Sequence, residues 1–254
     1  MIMTTAHCVA TDRGAIQRNQ ISVHVGRTHL KQDGESTQTH TVQEVLVHPR
    51  FSKSSIAHDI ALIKLSENVT MSRYVQPVCL WNMDDKQELI VGKNGTIVGF
   101  GLTEDDVVSD QLKQALVGVV DPLQCIANDR PVFGTHLTTE MFCGRGQPGV
   151  SACNGDSGGG MFFEVGGRWF VRGLVSFTPG RQNNNHLCDG SKHTVFTDVA
   201  KYRGWISNHI DTRVLHVDSE GVHVDYDEKL RLFDFTTCSE NGTYMEHRRI
   251  WNTG

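Results

Sequence analysis

An all-β protein, a barrel or a sandwich, is predicted from three features of the chain. Short runs rich in β-branched and aromatic residues recur along it, Gly, Asn and Pro divide them, and helical periodicity is confined to two places. Many short strands with few helices cannot bury their apolar faces except against one another.

The elements follow in order. Ile21 to Val25 and Thr39 to Val47 alternate apolar and polar residues, the pattern of half-buried strands, and the polar stretch Arg27 to Ser36 joins them as a loop. Ile60 to Leu65 is apolar enough for a central strand, with Asp59 at its head, and Glu67 to Lys86 reads as a connector. Thr96 to Gly101, Gln114 to Val120, Gly159 to Phe163, Trp169 to Ser176 and Thr194 to Asp198 are the later strands. Between them Asp121-Pro122 caps a short helix through Ile126, proline standing where a missing NH costs nothing. Val199, Tyr202, Trp205, Ile206 and Ile210 lie at helical spacing, so Val199 to Ile210 is read as a terminal helix docked on the strands.

At 254 residues the chain can bury a full core, either as one large all-β domain or as two smaller ones. A net charge of −5 with 21% charged residues gives no basic footprint for nucleic acid. No apolar run reaches the roughly 20 residues that span a bilayer, so neither nucleic acid nor membrane is expected as a partner. Seven cysteines without a C-x-x-C pair favour a disulfide framework over a zinc site, and with it an oxidising, extracellular compartment. The acceptor triplets that begin at Asn68, Asn94 and Asn241 agree with export and glycosylation.

The chemistry centres on Cys153-Asn154-Gly155-Asp156-Ser157-Gly158-Gly159-Gly160. A serine hydroxyl is a poor nucleophile at neutral pH, so its use requires a nearby base, and acyl transfer also requires NH donors aimed at the oxyanion. Glycine at 155 and 158 frees the backbone to present the NH groups of Gly155 and Ser157 to one oxygen. Taken alone, the stretch reads equally well as a glycine-rich turn. Two further stretches decide: Thr4-Thr5-Ala6-His7-Cys8 upstream, and Ala57-His58-Asp59-Ile60-Ala61-Leu62 between, so that base, acid and nucleophile occur in the order His, Asp, Ser.

These three motifs resemble the trypsin- and chymotrypsin-like serine proteases, and the likeness runs from residue 1 to about 210. It implies two six-stranded antiparallel β-barrels, the first incomplete, with a C-terminal helix. It implies His7 as general base, Asp59 as the acid fixing its tautomer, Ser157 as nucleophile, and Gly155 with Ser157 as oxyanion hole. Disulfides Cys125–Cys143 and Cys153–Cys188 follow from the same resemblance; Cys8, Cys79 and Cys238 are left unassigned. In the family the first of these pairs with an earlier strand and the second ties to a pro-segment, and neither segment is in the sequence. No cofactor is implied, and no metal: Arg27 follows Gly26 where calcium-binding relatives carry a glutamate. Gly160 replaces the proline that usually follows the serine motif.

By carry-over, Ser151 falls at the floor of the specificity pocket, without the aspartate of trypsin-like members, and Ser176, Thr178 and Thr194 form its walls. Threonines where glycines leave an open slot predict an elastase-like preference for small or medium uncharged side chains, with chymotrypsin-like choice of aromatics as the alternative. Gly158-Gly159-Gly160 with Thr194 to Tyr202 resembles insect haemolymph proteases of the clotting-factor kind, which implies limited cleavage of a protein substrate such as a downstream protease zymogen, and control by a protein inhibitor. A non-catalytic homologue acting as a binding or regulatory partner is the alternative function.

Residues 1–210 are thus expected to be a protease domain lacking its N-terminal strands and activation site, and residues 211–254 an extension of unknown role. Met1-Ile2-Met3-Thr4 lacks a secretory leader, so the sequence is read as part of a longer secreted zymogen. In the family, Asp156 receives the amine freed by activation; without it the carboxylate is expected to turn outward or find another donor, misaiming the oxyanion NH groups and leaving weak or no turnover. His216, Asp218, His223 and Asp225 are read as a solvated face rather than a metal site.

Overall fold

A computed structural model describes residues 1–210. Two β-structures pack side by side. The first is a curled, four-stranded half-barrel in the order β1 (Ile2–Thr4), β6 (Ala61–Leu65), β5 (Gln38–Val47) and β4 (Ser22–Val25), antiparallel throughout. Its core is Ala6, Val9, Val42, Ala61, Ile63 and Leu65. β6 is buried at four of five positions, which is why its sequence is a near-continuous apolar run, whereas β5 alternates along its first half because one face meets solvent. β2 (Ala10–Thr11) and β3 (Gly14–Ala15) form a small hairpin after the first helical turn, α1 (Ala6–Val9).

The second structure is a closed barrel: β8 (Asn94–Gly99), β9 (Lys113–Val120), β10 (Met141–Arg145), β13 (Thr194–Asp198), β12 (Arg168–Phe177) and β11 (Gly160–Val165), with β11 pairing back to β8. Closure gives each of these six strands a partner on both sides, and bulges at Met161/Phe162 and Val175/Phe177 bend the strands to achieve it. Phe142 and Phe196 stack at its centre, ring centroids 5.3 Å apart. Gly144 is required there, because a Cβ would collide with Val117 and the Phe196 ring.

Two sequence expectations need correction. The connector from Glu67 to Lys86 carries a strand, β7 (Cys79–Leu80), which pairs parallel to β12 and is too short for periodicity to register. Val199 to Ile210 is not one helix: a 3-10 turn over Val199–Tyr202 leads into α4 (Arg203–Ser207), and the apolar residues still pack together because both helical forms return a face every three to four residues. The Asp121 cap is present, its carboxylate accepting from the NH groups of Leu123 and Gln124, and α2 runs from Pro122 to Asn128. A further helix, α3 (Arg130–His136), follows it, capped by Asp129.

The two halves are joined by a third cluster, Ile60, Val171, Leu174, Val199, Tyr202 and Ile206. Beside it the Arg172 guanidinium, fully buried, lies over Trp81 and forms a paired contact with Asp198 at 2.8 and 3.0 Å. Asp198 also caps the 3-10 turn through the Ala200 NH. No helix of the described residues is long and apolar enough to cross a membrane. Arg27 lies within its loop, paired with Asp33 and donating to the Leu30 carbonyl. Asn68 and Asn94 are exposed; Asn241, Cys238 and the His216–Asp225 group lie outside the described residues.

Candidate active site

His7 sits on the single turn of α1, and Asp59 stands at the entrance to β6, fully buried. The histidine NH donates to one carboxylate oxygen of Asp59 at 2.8 Å, and Nδ1 reaches the other at 2.7 Å. Ser176 donates its hydroxyl to that second oxygen at 2.6 Å, and Thr197 Oγ1 donates to the Asp59 carbonyl at 2.8 Å. A buried carboxylate would be costly alone; three donors offset its desolvation. The preceding residue, His58, adopts a left-handed conformation (φ 54°), and its Nδ1 lies 3.1 Å from the Tyr202 hydroxyl.

Because Nδ1–H is held by Asp59, the opposite nitrogen is the one that can exchange a proton. Cys8 Sγ lies 3.6 Å from that Nε2, and Cys8 is exposed and free. Burial pushes the His7 pKa down, but the hydrogen bonds to Asp59 and Cys8, together with their charges, outweigh it and raise it to about 10.

Ser157 lies on the turn between the Cys153–Cys188 disulfide and β11. Gly155 (φ 97°) and Gly158 (φ 79°) occupy conformations closed to other residues. A Cβ at Gly158 would collide with Thr4 Oγ1 and lie against Thr5, so the serine turn packs directly on the segment that leads into His7. The turn is pinned by Gly158 N–H to the Val175 carbonyl (2.8 Å) and Gly159 N–H to the Asp156 carbonyl (2.9 Å). Among the described residues, the NH groups of Gly155 and Ser157 donate to nothing, and Ser157 Oγ makes no hydrogen bond to His7.

Asp156 finds other donors rather than turning outward: Gly101 N–H at 2.9 Å and Cys153 N–H at 3.0 Å, one to each oxygen. Burial raises its pKa, and the two backbone donors only partly oppose that. The residues read as pocket walls divide. Thr178 Oγ1 donates to the Ala152 carbonyl at 2.8 Å and lies 2.8 Å from Thr194 Oγ1, tying the two walls to the residue after Ser151. Ser151 itself lies close to Gly190. The hydroxyl of Ser176, by contrast, is spent on Asp59. Thr197, which holds the Asp59 backbone, was not legible in sequence: nothing distinguishes it from any buried strand threonine. Cys125 is joined to Cys143, Cα atoms 6.2 Å apart, and Cys153 to Cys188 at 5.3 Å. Among the described residues no group of three or more His, Cys, Asp or Glu could hold a metal ion.

The barrels, the His-Asp pair and the serine turn define a chymotrypsin-like protein, and comparison with known proteins gives the same result. The Trypsin family model matches residues 1–206, and the chain belongs to that family. It is 33% identical to chymotrypsin-like elastase family member 1 of Rattus norvegicus, over 82% of this chain and 74% of the relative, and 33% identical to chymotrypsin-C of Bos taurus, over 81% and 73%. Serine protease gd of Drosophila melanogaster is 28% identical over 82% of this chain, which spans only 45% of that relative's length.

Proposed function

We propose that this chain is the catalytic part of a secreted serine endopeptidase that cleaves peptide bonds through an acyl-enzyme on Ser157. The observation that carries the reading is the buried Asp59 bound to both the NH and Nδ1 of His7, which fixes the tautomer that leaves Nε2 for proton transfer. His7 takes the serine proton as Ser157 attacks the carbonyl carbon and returns it to the departing amine; the uncommitted NH groups of Gly155 and Ser157 receive the oxyanion. Ser151, Thr178 and Thr194 bound the pocket for the side chain before the scissile bond, and the hydroxyl-linked threonines favour small or medium uncharged groups. Limited proteolysis of a protein substrate in an extracellular cascade of the insect immune or clotting type is the role, a reading supported by the triple-glycine motif and the similarity to the Drosophila protease.

One observation favours a second reading, a non-catalytic partner. Cys8 rather than Ser157 is the neighbour of His7 Nε2, and the contacts with Asp59 and Cys8 raise the histidine's pKa to about 10 despite its burial. Covalent labelling by a fluorophosphonate, with Ser157→Ala as control, separates the two. Stoichiometric labelling at Ser157, in this chain or in a version extended upstream and cleaved, supports the peptidase; folded chains of both kinds that never label support the partner.

A further inference from the structure

Two loops flank the serine turn. The first, residues 101–110, is a tight hairpin: Thr103 N–H bonds the Val107 carbonyl at 2.9 Å, Asp106 N–H the Thr103 carbonyl at 3.0 Å, and Asp106 stands at its tip in a left-handed conformation (φ 57°). The second, residues 179–188, folds on itself through Arg181 N–H to the Leu187 carbonyl (3.0 Å) and Asn184 N–H to the Arg181 carbonyl (3.2 Å).

Each loop is one contact from the serine turn. Gly101 N–H holds one oxygen of Asp156, and Leu102 N–H bonds the Asn154 carbonyl at 2.9 Å. On the other side, Cys188 is bonded covalently to Cys153, its NH donates to Asn154 Oδ1 at 2.9 Å, and Asn154 Nδ2 donates to the His186 carbonyl at 2.9 Å. Asn154 therefore bridges the loops, one residue before Gly155 and three before Ser157.

Arg181 bridges them a second time. Its Nη1 and Nη2 take both oxygens of Asp106, at 2.8 and 2.5 Å, and its Nε donates to the Cys188 carbonyl at 2.9 Å. All three guanidinium nitrogens are used, and the Arg181 hydrogen bonds hold the Asp106 carboxyl below the usual carboxylate range. Both side chains are about one-third exposed (34% and 35%), and an ordinary surface pair of that kind contributes little to overall stability. Its value here is local: among the described residues it closes a ring whose other links run through Asn154, Asp156 and the Cys153–Cys188 disulfide.

We infer that Arg181 is a positioning residue, whose fork on Asp106 clasps the 101–110 and 179–188 loops together and thereby holds the Asn154–Gly158 turn in the conformation that presents the Gly155 and Ser157 NH groups. The inference rests on the peptidase reading for its consequence in rate, but its structural content stands apart from it. The clasp does not touch substrate; it acts through the turn, so its loss lowers kcat more than it raises KM.

Amide hydrogen exchange at Asp156, Gly158 and Gly159, whose NH groups donate to the Cys153, Val175 and Asp156 carbonyls, tests it in the full chain with Arg181→Ala, Asp106→Ala and the exchanged pair Asp106→Arg/Arg181→Asp. Each single change is expected to speed exchange at these three amides by about fivefold, the scale of one exposed ion pair, with the barrel strands unaffected and the exchanged pair restoring protection. Should a variant fail to fold, the unsubstituted chain gives the same information: raising sodium chloride from about 0.05 M to about 1 M screens the pair and should speed exchange at the same amides. Exchange in the turn that is indifferent to both substitutions and salt overturns the clasp. Parallel fluorophosphonate labelling keeps the two claims distinct: a turn that loosens in a chain that never labels, as it stands or extended upstream and cleaved, leaves the clasp standing and removes the peptidase, whereas normal labelling with an unresponsive turn does the reverse.

Discussion

Replacing Asp59 by asparagine should move the titration of His7 from about 10 to 6.5 or below. Burial lowers the histidine's pKa, and only the Asp59 and Cys8 contacts lift it above its ordinary 6.5; asparagine keeps the packing and removes the charge. A rise from 6.5 to about 10, burial included, sets a ceiling of roughly 5 kcal/mol on the net contribution, at about 1.4 kcal/mol per unit. His7 is 31% exposed, and screening by solvent reduces the expected contribution to about 2 kcal/mol. The sign follows from the direction: a raised pKa contributes stability that is complete below pH 6.5 and is lost as pH climbs through about 10. Urea denaturation at pH 6.5 and just above 10 should therefore show the native chain losing about 2 kcal/mol more than Asp59→Asn between those conditions, the difference cancelling other groups that titrate there. The direct assay is proton NMR of the His7 ring in both proteins. A midpoint at or below 6.5 in the unsubstituted chain would refute the reasoning, and with it the expectation that Ser157 labelling accelerates steadily with pH as the imidazolium gives up its proton.

Two further outcomes follow from other parts of the molecule. Arg172→Leu strands the fully buried Asp198 carboxylate and should cost about 3–5 kcal/mol in urea unfolding, whereas the double change Arg172→Leu/Asp198→Leu should recover much of it. Thr178→Gly/Thr194→Gly removes the linked hydroxyls between the pocket walls and should shift peptide-library preference toward aromatic side chains, with kcat/KM for an aromatic at that position rising by about tenfold or more.

The barrel strands were legible wherever one face, or both, had to be apolar: Thr194 to Asp198 was read with its full bounds, and β5, β6 and β9 to within a residue. What escaped was decided by partners distant in sequence. β1 and β7 are two or three residues long and exist because β6 and β12 offer them a ladder. At the site, spacing located Ser176 but could not tell which way its hydroxyl turns; that depends on a carboxylate 117 residues away. For Asp156 the sequence left open an outward turn or another donor; it could not name the donors, which are backbone NH groups that no side-chain pattern announces. The Arg181–Asp106 pair spans 75 residues between two polar loops, where one arginine looks like any other.

The surroundings of Asp59 also set an order of events for a newly made chain. Its backbone carbonyl is held from β13, its carboxylate from β12 and α1, and the residue before it from the terminal helical segment through Tyr202. A chain made only as far as β6 has the histidine and the acid but lacks Ser176, Thr197 and Tyr202, the groups that hold the acid and its neighbour from the second barrel. The geometry of the His7–Asp59 pair is thus completed only by residues from the last third of the described chain.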